Sequence, residues 1–203
     1  GMSNIAVSSI VIDRFDRNRI FIASGDSDSG DANYRDMGIL MSEDGGLSWQ
    51  QVHDATRRVY KILAHPDEPN TFYLCSMIGL CQTKNSFATV DTLYFAPNLH
   101  QNRHIWDAEF KPGNPDSLYF SSGRSIRCWN DANQQVTTLV TFLPGMGNGR
   151  NRIEIETTDT NPEMIVGFYA RRLDTLQNGF IHHPVSTDAG ATWDTHGAPV
   201  NIM

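Results

Sequence analysis

Ser42-Glu43-Asp44-Gly45-Gly46-Leu47-Ser48-Trp49 and Ser186-Thr187-Asp188-Ala189-Gly190-Ala191-Thr192-Trp193 are two copies of one octapeptide, S-x-D-x-G-x-[ST]-W. The hydroxyl and the carboxylate are placed to accept hydrogen bonds from backbone N–H groups inside a tight turn. Gly46 and Gly190 permit the positive φ that such a turn requires. Trp49 and Trp193 then open a strand and bury a large ring. A short apolar strand precedes each copy, Gly38-Ile39-Leu40-Met41 and Gly179-Phe180-Ile181. The unit is a strand, a stapled turn and a strand.

A second motif counts the units. Glu68-Pro69-Asn70-Thr71-Phe72-Tyr73, Asn114-Pro115-Asp116-Ser117-Leu118-Tyr119 and Asn161-Pro162-Glu163-Met164-Ile165-Val166 recur, with Asp16-Arg17-Asn18-Arg19-Ile20-Phe21 as a degenerate first copy. The spacing is about fifty residues, the length of a four-stranded propeller blade. Aligning on the prolines gives four blades, near 5–52, 57–93, 103–141 and 150–195, in one repeat domain over 1–203. The first strand of each blade is expected at Ile5–Val11, Arg57–Ala64, Arg103–Phe110 and Arg150–Thr157. The middle blades carry decayed octapeptides. Thr83–Val90 keeps a hydroxyl and an amide. Trp129–Val136 keeps an Asp and Asn133, which tolerates positive φ.

The octapeptide resembles the Asp-box, or BNR, repeat of β-propellers. The fold class it implies is all-β, a propeller of four-stranded antiparallel blades. Ile22-Ala23-Ser24-Gly25-Asp26 and the octapeptide of blade one, with Trp106–Pro115 and Arg152–Glu156, look like secreted bacterial propellers of the sortilin-like and xyloglucanase-like type. That resemblance implies a secreted or surface location and either polysaccharide hydrolysis or glycan or protein binding. Asp-box families usually have more than four blades. The chain is therefore expected to be part of a larger propeller or to form a homodimer.

Bulk composition narrows the partners. Sixteen Lys and Arg against 23 Asp and Glu leave a net charge of -7, unsuited to the basic face that nucleic-acid binding requires. No apolar run spans a membrane, and no signal peptide is visible. Gly1 before Met2 reads as the remnant of a removed tag. Cys75, Cys81 and Cys128 have no metal spacing and read as free thiols, although Cys75 and Cys81 could face each other across a hairpin.

Alternating strand direction puts the first-to-second and third-to-fourth turns, hence the octapeptides, at one end of each blade. The long connections Ser24–Met37, Ala96–Asn102, Leu143–Gly149 and Arg171–Asn178 fall at the other, where binding usually resides. Three candidate sites lie there. Asp26, Asp28 and Asp31 could offer oxygen ligands to Ca²⁺, although Gly30 and Met37 break the EF-hand pattern. No other cofactor is indicated. Arg57, Arg103 and Arg150 start equivalent inner strands and could bind a carboxylate or phosphate; solvated strand starts are the plainer alternative. Lys61, Asp107 and Glu154 share one repeat position, with Glu109 and Glu156 two residues on. A glycosidase needs two carboxylates, and Asp26, Asp28, Asp107 and Glu154 are the candidates; salt bridges with Lys61 and Arg152 are the alternative. His182 and His183 point to opposite strand faces, a poor metal geometry. Trp106, alternating with His104 and Phe110, reads as core.

Overall fold

A computed structural model describes residues 6–25, 38–54, 58–95, 104–142, 151–171 and 179–197. Every regular element among them is a β-strand. Unit one, Gly1–Phe95, holds two four-stranded sheets, and unit two, Ala96–Met203, holds two more. Blade one is β1 (Val7–Ile12), β2 (Ile20–Ser24), β3 (Ile39–Ser42) and β4 (Gln50–His53). Blade two is β5 (Val59–Ala64), β6 (Phe72–Ser76), β7 (Leu80–Thr83) and β8 (Asp91–Tyr94). Blade three is β9 (Ala108–Lys111), β10 (Asn114–Ser122), β11 (Ser125–Asn130) and β12 (Gln135–Thr141). Blade four is β13 (Asn151–Thr157), β14 (Ile165–Arg171), β15 (Gly179–Ser186) and β16 (Asp194–Gly197). In each sheet the strands pair antiparallel in chain order, so each blade is a meander built by local turns.

The two octapeptides fold alike. Ser42 Oγ accepts from Gly46 N at 2.8 Å and donates to Asp44 Oδ1 at 2.8 Å. Asp44 accepts from Ser48 N at 2.8 Å and Ser48 Oγ at 2.6 Å, and Trp49 Nε1 donates to Gly46 O at 3.0 Å. The second copy repeats the set through Ser186, Asp188, Gly190, Thr192 and Trp193 at 2.6 to 3.1 Å. Gly46 and Gly190 have φ of 96° and 92°, as the motif requires. The Ser48 hydroxyl and N–H, then the Ser42 hydroxyl, hold the Asp44 carboxyl down to about 2; Thr192 and Ser186 do the same for Asp188.

Blade two departs from its expected decay. Thr83 Oγ1 accepts from Phe87 N at 2.9 Å, and Asn85 Oδ1 accepts from Thr89 N at 2.9 Å. Asn85 Nδ2 also donates to Thr89 Oγ1 at 2.9 Å. The turn is intact, with an amide in place of the carboxylate. Phe87 sits where Gly46 sits in blade one, at φ 72°, a conformation costing a side-chain-bearing residue roughly 1–2 kcal/mol. Its fully buried ring meets Phe21 and Phe72 at 5.2 Å each. Burying that ring contributes about 1.5–3 kcal/mol, which offsets the strain. The strand after this turn starts at Asp91. Blade three does not form this turn. Gln134, not Asn133, takes positive φ, at 55°, and Asn130 Oδ1 accepts from Asn133 N at 3.1 Å.

Both kinds of turn meet at one end of each blade, as strand alternation requires. Gly45 N donates to Asn18 O at 3.0 Å, Ser86 N to Asn70 O at 3.0 Å, Asp131 N to Asp116 O at 2.7 Å and Ala189 N to Glu163 O at 2.8 Å.

Neighbouring blades within each unit pack face to face. In unit one, Phe21, Ala23, Ile39 and Met41 of blade one meet Ile62, Phe72, Leu74, Cys81 and Phe87 of blade two; the Phe21 and Phe72 rings lie 4.6 Å apart. In unit two, Tyr119 and Ile126 of blade three pack with Ile153, Ile155, Ile165 and Tyr169 of blade four. The three cysteines are free thiols. Cys75 pairs with Leu80 and Cys81 with Leu74 across the hairpin, so the thiols point to opposite faces.

Candidate functional site

The starts of the inner strands β9 and β13 lie at the blade end opposite the octapeptides. Charged and aromatic side chains converge there. All belong to unit two. Trp106 precedes β9 and is partly exposed, with His104 beside it at 5.3 Å between ring centroids. The Arg152 guanidinium of β13 lies 5.3 Å from the Trp106 ring centroid, a cation–π contact. Arg152 Nε also pairs with Glu154 Oε1. Trp106 is thus a wall of this cluster and not the core residue its alternation suggests, because β9 begins only at Ala108.

Asp107 and Glu154 come together as their shared repeat position implies, but they do different work. Asp107 is buried. Its Oδ1 accepts from Ala108 N at 3.0 Å and its Oδ2 from Ile155 N at 2.7 Å, the latter in the next blade. Ser9, at the same position in blade one, accepts from Ile62 N of blade two at 3.0 Å. The position is a blade-to-blade staple: its side chain takes the N–H one residue further along in the following blade. Glu154 occupies the staple position of blade four. Burial pushes its carboxyl up, hydrogen bonding and attraction from Arg152 pull it back, and Asp107 raises it further by repulsion and a shared hydrogen bond. Asp107 thus has both carboxylate oxygens engaged by backbone N–H groups of the junction.

Asp26, Asp28 and Asp31, and Arg57, Arg103 and Arg150, lie outside the described residues. Among the described residues no group of three or more His, Cys, Asp or Glu side chains is placed to hold a metal ion. His182 and His183 do point apart. His182 packs against Phe142 and Tyr169, and His183 stacks on Phe168. His65 is structural: its Nδ1 accepts from Asp67 N at 3.1 Å and Glu68 N at 3.0 Å.

Neither a protein-family model nor a curated protein matches the chain. Solved structures do, and they are β-propeller types. The blades are propeller blades. A GH74 xyloglucanase from Xanthomonas campestris aligns at a TM-score of 0.66 with 13% identity, over 92% of this chain and 29% of that one. The extracellular domain of a hybrid two-component system from B. thetaiotaomicron aligns at 0.64 with 9% identity, over 97% and 23%. An auxiliary nutrient binding protein from Bacteroides thetaiotaomicron aligns at 0.58 with 13% identity, over 89% and 41%. The chain thus spans between about a quarter and two-fifths of the length of these structures. No helix among the described residues is long and apolar enough to cross a membrane.

Proposed function

We propose that this chain is a segment of an Asp-box propeller of the sortilin-like and xyloglucanase-like kind, secreted or displayed at the cell surface, that binds a glycan or protein ligand at the blade end opposite the octapeptides. The observation that carries this reading is the cluster of His104, Trp106, Arg152 and Glu154 at the starts of β9 and β13. Binding sites combine apolar and aromatic walls with a few placed polar groups. The indole and imidazole offer faces to a pyranose ring, and the guanidinium and carboxylate offer donors and acceptors to its hydroxyls. By the order of connections alone, Arg57, Arg103 and Arg150, with Asp26, Asp28 and Asp31, are proposed to fall at the corresponding end of their own blades. A Ca²⁺ ion held by those aspartates would cross-link that loop.

A panel of soluble β-glucan and xyloglucan oligosaccharides, titrated calorimetrically, tests the reading. Trp106→Ala is expected to weaken binding at least tenfold while leaving the melting temperature nearly unchanged. Unaltered affinity in Trp106→Ala, or no binding by the wild type to the glycan panel and to a matching panel of surface proteins, refutes it.

A second reading is a fragment of a glycoside hydrolase, supported by the likeness to GH74 folds. It places the acid and base on Asp26 or Asp28 and on a second domain, because Asp107 is committed to backbone N–H groups. Hydrolysis of xyloglucan by this chain, lost in Asp28→Ala, would favour it.

A further inference from the structure

Ser122 pairs with Ser125, so Gly123 and Arg124 form a two-residue hairpin turn between β10 and β11, with Gly123 at φ 61°, as so tight a hairpin requires. The turn stands at the blade end opposite the octapeptides. Ser121 N of β10 donates to Asp107 O at 3.0 Å, which brings the turn alongside Trp106, the residue before Asp107. Arg124 is partly buried. Its Nε is closed off from solvent and has no hydrogen-bond partner among the described residues. A charged donor in that condition is costly, more so than a neutral one.

The blade-four side of the junction carries a second such atom. His182 of β15 pairs with Tyr169 of β14, two residues short of the Arg171 end of that strand. His182 Nε2 is likewise buried and without a partner among the described residues. Phe142 links the two. Its N–H donates to Arg124 O at 2.9 Å, and its ring centroid lies 5.1 Å from that of His182 and 5.8 Å from that of Tyr169. Arg124 and His182 therefore flank one aromatic residue, at the blade end that also carries Trp106 and Arg152. Arg127 Nε and Trp129 Nε1 of β11 are buried in the same way. Neither joins this group, because Arg127 already bonds Thr138 Oγ1 through Nη1 and Trp129 pairs with Leu118 towards the octapeptide end.

Buried donors without partners call for an acceptor from elsewhere. A guanidinium is a planar fork of donors, and an imidazole with its proton on Nε2 donates one bond more. A carboxylate matches that set in charge and shape, with two coplanar oxygens that an arginine fork takes together. The nearby acids do not compete for the place. Asp107 is bonded to backbone N–H groups through both oxygens, and Glu154 is paired with Arg152.

We propose that Arg124 and His182 form a carboxylate subsite, and that the ligand of this blade end is an acidic glycan carrying uronate residues. The proposal rests on the glycan reading of the Trp106 cluster: the indole takes a sugar face, and the Arg124 turn beside it takes the carboxylate. The aromatic walls of Trp106 and His104 favour a uronate glycan over an acidic peptide.

Calorimetric titration with trigalacturonate, and with the same trisaccharide reduced at its carboxyls to the neutral sugar, tests the proposal. The acid is expected to bind about tenfold tighter than its reduced form. Arg124→Gln should abolish that preference while leaving both the affinity for the reduced trisaccharide and the melting temperature unchanged. His182→Phe keeps a ring against Phe142 and Tyr169 and drops the nitrogen; it should lower the preference about threefold. Trp106→Ala should weaken both sugars. Equal affinity for the two sugars, each lost in Trp106→Ala, overturns the subsite and leaves the glycan reading standing. No binding of trigalacturonate overturns it too, whatever the neutral glycans show. A preference that survives Arg124→Gln refutes the assignment, as does a fall in the melting temperature of that variant, which would reveal a structural bond at Nε. A triglutamate peptide binding as tightly as trigalacturonate gives the subsite to acidic peptides and overturns the glycan.

Discussion

Removing the Ser42 and Ser186 hydroxyls should destabilise the two units by different amounts. Ser42 and Ser186 are both buried, and each Oγ accepts a 2.8 Å bond from the glycine N–H four residues on while donating to the following Asp. Alanine leaves that N–H without its acceptor. An unsatisfied buried donor costs about 1–3 kcal/mol. Gly46 is only partly buried, so water can reach its N–H, whereas Gly190 is buried with Leu139 packed against it. Ser42→Ala is therefore expected near the lower end, about 1–2 kcal/mol, and Ser186→Ala near the upper end, about 2–3 kcal/mol. For a transition the size of one unit, each kcal/mol moves the melting temperature by roughly 4–8 °C. Differential scanning calorimetry and urea unfolding supply the measurement. Leu47→Ala in the same turn is the control, because Leu47 is 88% exposed and its loss should stay within about 0.5 kcal/mol. If both serine variants melt with the control, the octapeptide is not a staple and the account of the turn fails. Ligand affinity should be untouched in Ser186→Ala, since that turn lies at the end of blade four opposite the start of β13, where Arg152 meets Trp106.

Three further outcomes follow from the same geometry. Phe87→Gly should be less destabilising than Phe87→Ala by about 1 kcal/mol, because both lose the ring but only glycine is at ease at φ 72°; equal losses by urea unfolding would refute the strain. Asp44 and Asp188 fold with carboxyls lowered from 3.8 to about 2, so their contribution is whole above about pH 4 and disappears as pH falls through 2. Melting curves from pH 5 to 2 should accordingly be flatter for Asp44→Asn with Asp188→Asn than for wild type, and parallel curves would sink the assignment. Gly79→Ala should unfold blade two or displace β8: its φ is 153° and a Cβ would lie 2.0 Å from the Tyr94 carbonyl oxygen. Circular dichroism showing native melting would contradict that.

The blades were legible because their signals are local. Proline-anchored turns and period-two apolar runs mark the four blades, and the first strands of blades one, two and four start within two residues of where they are expected, that of blade three only at Ala108. Blade two's turn was hidden because its aromatic moved from the eighth position of the motif to the fifth. Val90 stands where Trp49 stands, and Phe87 supplies the ring from the glycine site. No pattern keyed to Gly and Trp finds that exchange; the Thr83, Asn85 and Thr89 spacing does. Trp106 was misread because alternation was carried back before the strand began. Its partnership with Arg152 joins residues in different blades, which no local pattern displays.

The staple position shows how a repeat array turns one sequence site into several roles. Ser9 and Asp107 both accept a backbone N–H from the next blade, a task that needs an oxygen acceptor and tolerates either chemistry. Lys61 carries no acceptor, so the position is not held to one residue type throughout. Glu154 keeps the acceptor, with its side chain about two-fifths exposed, Arg152 at one oxygen and Asp107 nearby. Paired acids in an alignment of blades suggest acid–base chemistry. The hydrogen bonds assign Asp107 to holding two blades together. Both of its oxygens are taken up by backbone N–H groups at that junction. The proposed recognition at this end of the blades accordingly rests on Trp106 and Arg152, whose contact spans blades three and four, and not on Asp107.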